Sequence, residues 1–133
     1  MNRNMISEKS LDFAVRVVNA HKHLTNHKKE FILSKQLVRC GTSIGANVSE
    51  AQRGQSKADF YAKMSIALKE ANEAQYWIEL LYRTEYFDTE QYQSMNADVE
   101  EIIRILTAIC RTASNKHFAF CILHFALFER TTL

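Results

Sequence analysis

The fold of this 133-residue chain is decided by residues 37–52, which read LVRCGTSIGANVSEAQ, and by residues 58–82, which read ADFYAKMSIALKEANEAQYWIELLY. Both segments carry apolar side chains at alternating steps of three and four residues, the spacing of one buried face of an α-helix. The face of the first segment comprises Leu33, Leu37, Cys40, Ile44, Val48 and Ala51. Because only the short polar hinge 54–57 separates the segments, we predict two antiparallel helices that meet along a tight seam.

Three small residues form a ridge beside the apolar face of the first of these helices. Gly41, Gly45 and Ser49 lie four residues apart. A glycine inside a helix costs roughly 1 kcal/mol relative to alanine, so two of them predict a helix-packing ridge where a neighbouring backbone approaches closely. A phosphate-binding loop is disfavoured, because the glycines precede no Gly-Lys-Ser/Thr sequence and follow no strand pattern.

The remaining sequence completes an all-α, up-down-up-down antiparallel four-helix bundle. The chain has no proline and three glycines, whereas a sheet protein needs many turns rich in both. We predict helices over about 7–23, from 30 to the hinge, over 58–82 and over 89–114. The pairs Ser56/Asp59 and Asp88/Gln91 are typical of helix N-caps. The first helix has two adjoining apolar sets, which indicates contact with several helices or a second subunit: Leu11, Ala14, Val15 and Val18, beside Phe13, Val17, Ala20 and Leu24.

The domain organisation predicted is a bundle over residues 1–114 and a C-terminal apolar extension over 115–133. The extension is poorly ordered, or packs on the bundle or on a neighbouring subunit. Its apolar run is far shorter than the roughly 18–20 residues of a membrane span. The N-terminus lacks the apolar stretch of a signal peptide, and three widely spaced cysteines fit no disulfide framework. We therefore expect a cytoplasmic protein with no membrane partner.

The charge distribution along the chain is asymmetric. Residues 1–57 carry ten Lys and Arg against four Asp and Glu, and residues 58–133 carry seven against eleven, so nets of +6 and −4 sum to +2. This asymmetry indicates either an anion-binding side or mutual attraction between helices or subunits. The best candidates for nucleic-acid contacts are basic residues of the first half and around the hinge, with ordinary solubility charge as the alternative: Lys28, Lys29, Lys35, Arg39, Arg53, Lys57 and Lys63.

Catalytic, cofactor and metal sites are not predicted. The histidines fall into two sets without carboxylate or further cysteine partners at useful spacing, namely His21, His23 and His27, and His117 and His124 with Cys121. No Glu-x-x-His pair of the kind that di-metal bundles use is present. The acidic side chains of the third helix are predicted to form a solvated surface: Glu70, Glu73 and Glu79.

Residues 37–52, 56–60 and 66–81 resemble a bacterial four-helix-bundle family that includes proteins encoded in intervening sequences of large-subunit ribosomal RNA genes, often labelled ribosomal proteins. The resemblance extends over about residues 6–114 and includes Lys-Ser-Leu-Asp-Phe-Ala-Val at 9–15. It implies a homopentameric ring of bundles with no known catalytic activity. A related accessory protein of diversity-generating retroelements, also a pentameric bundle, binds nucleic acid and a reverse transcriptase.

Two functional hypotheses follow. The first is a non-enzymatic oligomeric scaffold that binds RNA or DNA through its basic half, in a salt-sensitive manner. The second is a protein–protein interaction module, an accessory or adaptor subunit that binds another protein and no nucleic acid.

Overall fold

Four α-helices make up the fold over residues 3–132, the part of the backbone that the computed structural model describes; side chains are described for residues 5–114. The helices are α1 (Arg3–His27), α2 (Leu33–Gln52), α3 (Lys57–Arg83) and α4 (Thr89–Thr132). Each packs against its neighbour in sequence, and α1 also contacts α4 more lightly, so the four close into an antiparallel bundle. The predicted all-α four-helix bundle is confirmed.

The core is formed by the apolar faces that periodicity identifies on α2, α3 and α4. On α2, Leu37, Ile44 and Val48 are fully buried, and Leu33 packs against the core from its rim. On α3 the buried side chains include three alanines between larger residues: Met64, Ala67, Ala71, Ala74, Ile78 and Leu81. The facing residues of α4 are Met95, Val99, Ile102, Leu106 and Cys110. The small side chains of α3 let its neighbours pack closely against it.

Helix α1 uses only one of its two apolar sets for the core. Phe13, Val17 and Leu24 are buried, whereas Leu11 is 64% exposed and Val15 is 53% exposed. The core-facing side of α1 also includes the buried Ile6. The apolar set that includes Leu11 and Val15 therefore remains on the outside of the bundle.

The glycines of α2 lie where the backbone of α1 approaches α2. A Cβ atom added at Gly41 would lie 2.8 Å from Cγ2 and 2.9 Å from Cγ1 of Val17, too close for any real contact. At Gly45 the added atom would lie 3.4 Å from both the carbonyl and hydroxyl oxygens of Ser10, an ordinary contact distance. Ser49 is exposed on the outer side of α2, so its predicted place in the helix-packing ridge is wrong. The close approach thus centres on Gly41 and Gly45.

Helices α3 and α4 begin at side-chain caps. The Ser56 hydroxyl accepts a hydrogen bond from the Asp59 backbone N–H at 3.0 Å. At α4 the capping is reciprocal: Gln91 N–H donates to Asp88 Oδ1 at 2.7 Å, and Asp88 N–H donates to Gln91 Oε1 at 2.9 Å. Both predicted N-caps are in place, and they satisfy amide groups that a helix start leaves without partners.

Helix α2 begins at Leu33, later than predicted, because Glu30 caps it from the preceding loop. The buried Glu30 carboxylate accepts hydrogen bonds from the backbone N–H groups of Ile32, Leu33 and Ser34, at 3.0, 2.8 and 2.7 Å. Burial by itself raises the pKa of Glu30, but the three backbone donors outweigh it, so the net pKa is lowered.

Two other helices extend past their predicted ends. Helix α1 starts at Arg3 and ends at His27, and α4 continues to Thr132 instead of ending near residue 114. How the side chains of the extension 115–133 pack lies outside the described residues. As far as the structure describes them, none of the helices combines the length and the apolarity needed to cross a bilayer.

Candidate nucleic-acid interface

Part of the positive charge of the first half is paired on the surface of the bundle, where α1 meets α4. Lys9 pairs with Glu101 at 2.6 Å, and the Arg16 guanidinium pairs with Asp98. Arg16 also donates to the Ser94 hydroxyl at 2.9 Å. The basic first half and the acidic second half therefore attract each other across this helix pair, as one of the two interpretations of the charge asymmetry predicts.

Arg39, a predicted nucleic-acid contact, lies in a polar cluster between α2 and α3. Its guanidinium donates to the Glu73 carboxylate and lies 3.6 Å from Glu70. Trp77 Nε1–H donates to the same Glu73 oxygen at 3.1 Å. The Glu70 side chain is only 15% exposed, so its predicted position on a solvated surface is wrong. Arg39 is half-exposed, and most of its charge is matched within the bundle.

Lys63 is likewise paired across α2 and α3. Its ammonium nitrogen lies 2.7 Å from Oε2 of Glu50, and both side chains are substantially exposed. Glu50 is the only acidic residue of α2. Because Glu50 pairs with Lys63, α2 has no other carboxylate that could neutralise its own cations.

The outer side of α2 brings three of the candidate cations into one row. We define the outward face of α2 as the exposed or half-exposed positions that recur at steps of four and three along the helix: Lys35, Arg39, Thr42, Ala46, Ser49 and Arg53. The side chains between the cations are small, and none is acidic. At 1.5 Å per residue, Lys35 and Arg53 are separated by about 27 Å along the helix.

The other candidates extend this row at both ends. Lys28 and Lys29 lie in the α1–α2 loop, and Lys57 is the first residue of α3, directly after the hinge. All three are exposed. Among the described side chains, none of the ion pairs involves these three residues, Lys35 or Arg53. The structure thus places five unpaired cations along α2 and its flanking loops, whereas Arg39 and Lys63 are paired.

The histidines of the first half make separate contacts. His21 Nδ1 lies 3.1 Å from the Ser34 hydroxyl, while the rings of His23 and His27 are 5.2 Å apart. Among the described side chains, no group of three or more His, Cys, Asp or Glu is placed to hold a metal ion. The second predicted set, from His117 to His124, lies outside the described side chains.

An open cleft of about 460 Å³ lies at the end of the bundle that carries the α1–α2 and α3–α4 loops. Lys28 and His23 line one side, and Glu85 and Asp88 line the other. Because cations and carboxylates face the same space, the cleft has no net preference for anions. Of its lining residues, Lys28 also belongs to the row of cations that runs along α2.

The cations are visible in the sequence, but the sequence does not show which of them form ion pairs in the folded bundle. The partners Asp98 and Glu101 lie more than 80 residues from Arg16 and Lys9. In contrast, the outward face of α2 could have been predicted from the sequence. Small residues recur between Lys35 and Arg53 at steps of four and three, on the side of the helix opposite the apolar face.

Comparison with known proteins adds a family and a solved structure. A model of the family described as 23S rRNA-intervening sequence protein matches residues 2–108. The crystal structure of a protein of unknown function from the S23 ribosomal protein family of Bacteroides thetaiotaomicron is similar, with 57% sequence identity and a TM-score of 0.82. The alignment covers 84% of this chain and 99% of that one. Among curated proteins, none matches this chain.

Proposed function

This chain belongs to the 23S rRNA-intervening sequence protein family, and on that premise we propose that it is a non-enzymatic, homo-oligomeric bundle that binds structured RNA. The contact surface is the outward face of α2 together with the α1–α2 loop and the α2–α3 hinge. Phosphate contacts by Lys and Arg supply most of the affinity of such a surface without selecting a base sequence.

The observation that carries the proposal is the imbalance of available charge over residues 28–57. This stretch has six Lys and Arg and two acidic residues. Both acidic residues are occupied, since Glu30 caps α2 and Glu50 pairs with Lys63. Within this stretch no carboxylate is left to pair with Lys35, Arg53 or Lys57, which extend over a distance comparable with one turn of a nucleic-acid duplex.

Two of the cations lie where helix stability favours the opposite charge. Lys35 is in the first turn of α2, which contains no acidic residue, and Lys57 is the first residue of α3. The N-terminal end of a helix carries partial positive charge, so a cation there is unfavourable by a few tenths of a kcal/mol. The N–H groups at the start of α2 already donate to Glu30, and the Asp59 N–H at the start of α3 donates to Ser56, so a phosphate would be bound by the Lys35 and Lys57 side chains themselves. A phosphate ligand would offset the unfavourable placement of each cation.

Assembly into a ring would repeat this surface once per subunit. The homopentamer implied by family resemblance is part of the proposal, because several weak phosphate-binding faces on one particle bind an extended RNA more tightly than one face does.

The test is fluorescence anisotropy with a labelled structured RNA over a range of salt concentrations. We compare Lys28→Ala/Lys29→Ala and Arg53→Ala/Lys57→Ala with the control Lys69→Ala, which removes an exposed cation from α3. The proposal predicts that the slope of log K against log salt becomes shallower by about 0.7–0.9 for each lost phosphate contact, with little change in the control. Absence of RNA binding at low salt, or equal weakening by Lys69→Ala, would refute it.

An adaptor that binds another protein is the second candidate. It is favoured by an aromatic pair on α3, where Tyr76 is 58% exposed and packs edge-on against Trp77 with ring centroids 5.0 Å apart. Exposed aromatic side chains are enriched in protein interfaces. Native complexes that contain a second protein and no nucleic acid would support the adaptor and contradict RNA binding.

A further inference from the structure

Helix α1 has an apolar face that the bundle leaves uncovered. Leu11 is 64% exposed, Val15 is 53% exposed and Val18 is half-buried. We define these three residues as the apolar face of α1. Their spacing of four and three residues is the pattern by which a helix docks against another helix. Two aliphatic side chains that are more than half exposed on one helical face leave apolar surface in water, and a partner that covers them would gain from its burial.

The chain itself supplies a segment that needs such a face. Ten of the eleven residues 118–128 are apolar, and His124 is the exception. This segment lies beyond residues 2–108, which the family model matches, and the solved relative aligns over 99% of its own chain with 84% of this one. The segment is therefore an apolar addition to the family's bundle, with a composition that favours burial against a protein surface.

The segment is poorly placed to reach the apolar face of its own α1. Lys9 and Arg16 pair with α4, so the side of α1 that carries them faces α4. Leu11 and Val15 lie two and six residues after Lys9, and five and one residues before Arg16. None of these separations is the three or four residues that would place two side chains on one side of a helix, so Leu11 and Val15 lie on another side of α1. Because α4 continues as a helix to Thr132, its end would have to break and pass around α1 to cover them.

We propose that residues 118–128 of one copy dock on the apolar face of α1 of a second copy. This contact goes beyond the proposed RNA binding, which uses α2 and its loops. Three of the four phenylalanines of the segment, Phe118, Phe125 and Phe128, recur at steps of seven and three, the spacing of one helical face, and offer about 150–250 Å² each, or roughly 450–750 Å² together. The upper end of that range approaches the roughly 800 Å² that each partner contributes to a stable interface of standard size.

The experiment is thiol cross-linking of the full-length protein with a short bis-maleimide. Cys121 lies within the docking segment, and Leu11→Cys or Val15→Cys introduces a thiol on the apolar face of α1. Cys40 and Cys110 are buried; burial raises the pKa of the Cys40 thiol to about 12 and also raises the pKa of Cys110, so neither competes. The matched control is Ile32→Cys, an aliphatic position 75% exposed at the start of α2.

The proposal predicts covalent links between chains for Leu11→Cys and Val15→Cys at least tenfold more abundant than for Ile32→Cys. Adding Cys121→Ser to either variant should abolish them. Links within one chain, links that persist with Cys121→Ser, or no excess over the control would each overturn the proposal. Neither Leu11 nor Val15 belongs to the RNA-binding surface, so RNA binding by these variants reports on the proposed function separately.

Discussion

The two glycines of α2 give a prediction in which one substitution has opposite effects at sites one helical turn apart. Gly41→Ala places a methyl group 2.8 and 2.9 Å from the two γ carbons of Val17, whereas carbon atoms in contact are normally about 3.5–4.0 Å apart. Val17 is fully buried and β-branched, so it has little rotamer freedom with which to move away. Helix α1 must therefore shift by several tenths of an ångström.

The magnitude follows from two opposing terms. Overpacking a core costs about 1–3 kcal/mol, while replacing an interior helical glycine by alanine gains up to about 1 kcal/mol. We expect Gly41→Ala to destabilise the bundle by about 1–2 kcal/mol. At Gly45 the new methyl group makes ordinary contacts of 3.4 Å with Ser10, so the helix-propensity term prevails. We expect Gly45→Ala to be neutral or to stabilise by up to about 1 kcal/mol.

The assay is urea unfolding followed by far-UV circular dichroism, with the free energy of unfolding compared at equal m-values. Both variants change the unfolded chain in the same way, so their difference reports on the folded state. Val17→Ala removes the two clashing carbons, and combined with Gly41→Ala it should show a favourable coupling of at least about 0.5 kcal/mol. Equal effects of Gly41→Ala and Gly45→Ala, or no coupling with Val17, would refute the close approach of α1 and α2.

Three further predictions concern the helix ends. Glu30→Gln should destabilise the protein by about 1–2 kcal/mol at pH 7, because three backbone N–H groups lose a charged acceptor. The folded pKa of Glu30 is lowered, so this contribution is present above the unfolded pKa and is lost as the pH falls through the folded pKa. The difference from wild type in urea unfolding should therefore shrink as the pH is lowered below the ordinary Glu pKa of 4.5. Glu85 has a φ of 69° at the end of α3, so Glu85→Gly should relieve backbone strain and raise the melting temperature by about 2–4 °C; a lower value would contradict this explanation. Asp88→Ala should cost about 1 kcal/mol in the same thermal assay through loss of the cap to Gln91, and Asp88→Asn should retain most of that stability.

The fold was predictable because the local signals agree with one another. The apolar faces of α2, α3 and α4 each have one clear helical period, and the cap pairs at Ser56 and Asp88 fix where α3 and α4 begin. On α1 two apolar sets have the same period, so the sequence alone does not decide whether Phe13 and Val17 or Leu11 and Val15 enter the core. That choice depends on where α2 and α4 lie.

The candidate site was predictable only in part, because pairing is a tertiary property. The positive charge of Arg39 and Lys63 is visible in the sequence, but their partners Glu73 and Glu50 are brought to them by the packing of α2 on α3. Only the structure shows these pairs, and only then can the cations without an ion pair between Lys28 and Lys57 be identified. The predicted end of α4 near residue 114 reflects the change in composition there, which does not interrupt the helix.

The central claim, that RNA binds along the outward face of α2 and its flanking loops, is tested most directly by ultraviolet cross-linking of the full-length protein to RNA in its native cells. Mass spectrometry of the digested complex then locates nucleotides attached to peptides. We predict that the modified peptides come predominantly from residues 28–57. Recovery of the oligomer without cross-linked RNA, or cross-links confined to α3 and α4, would contradict the claim.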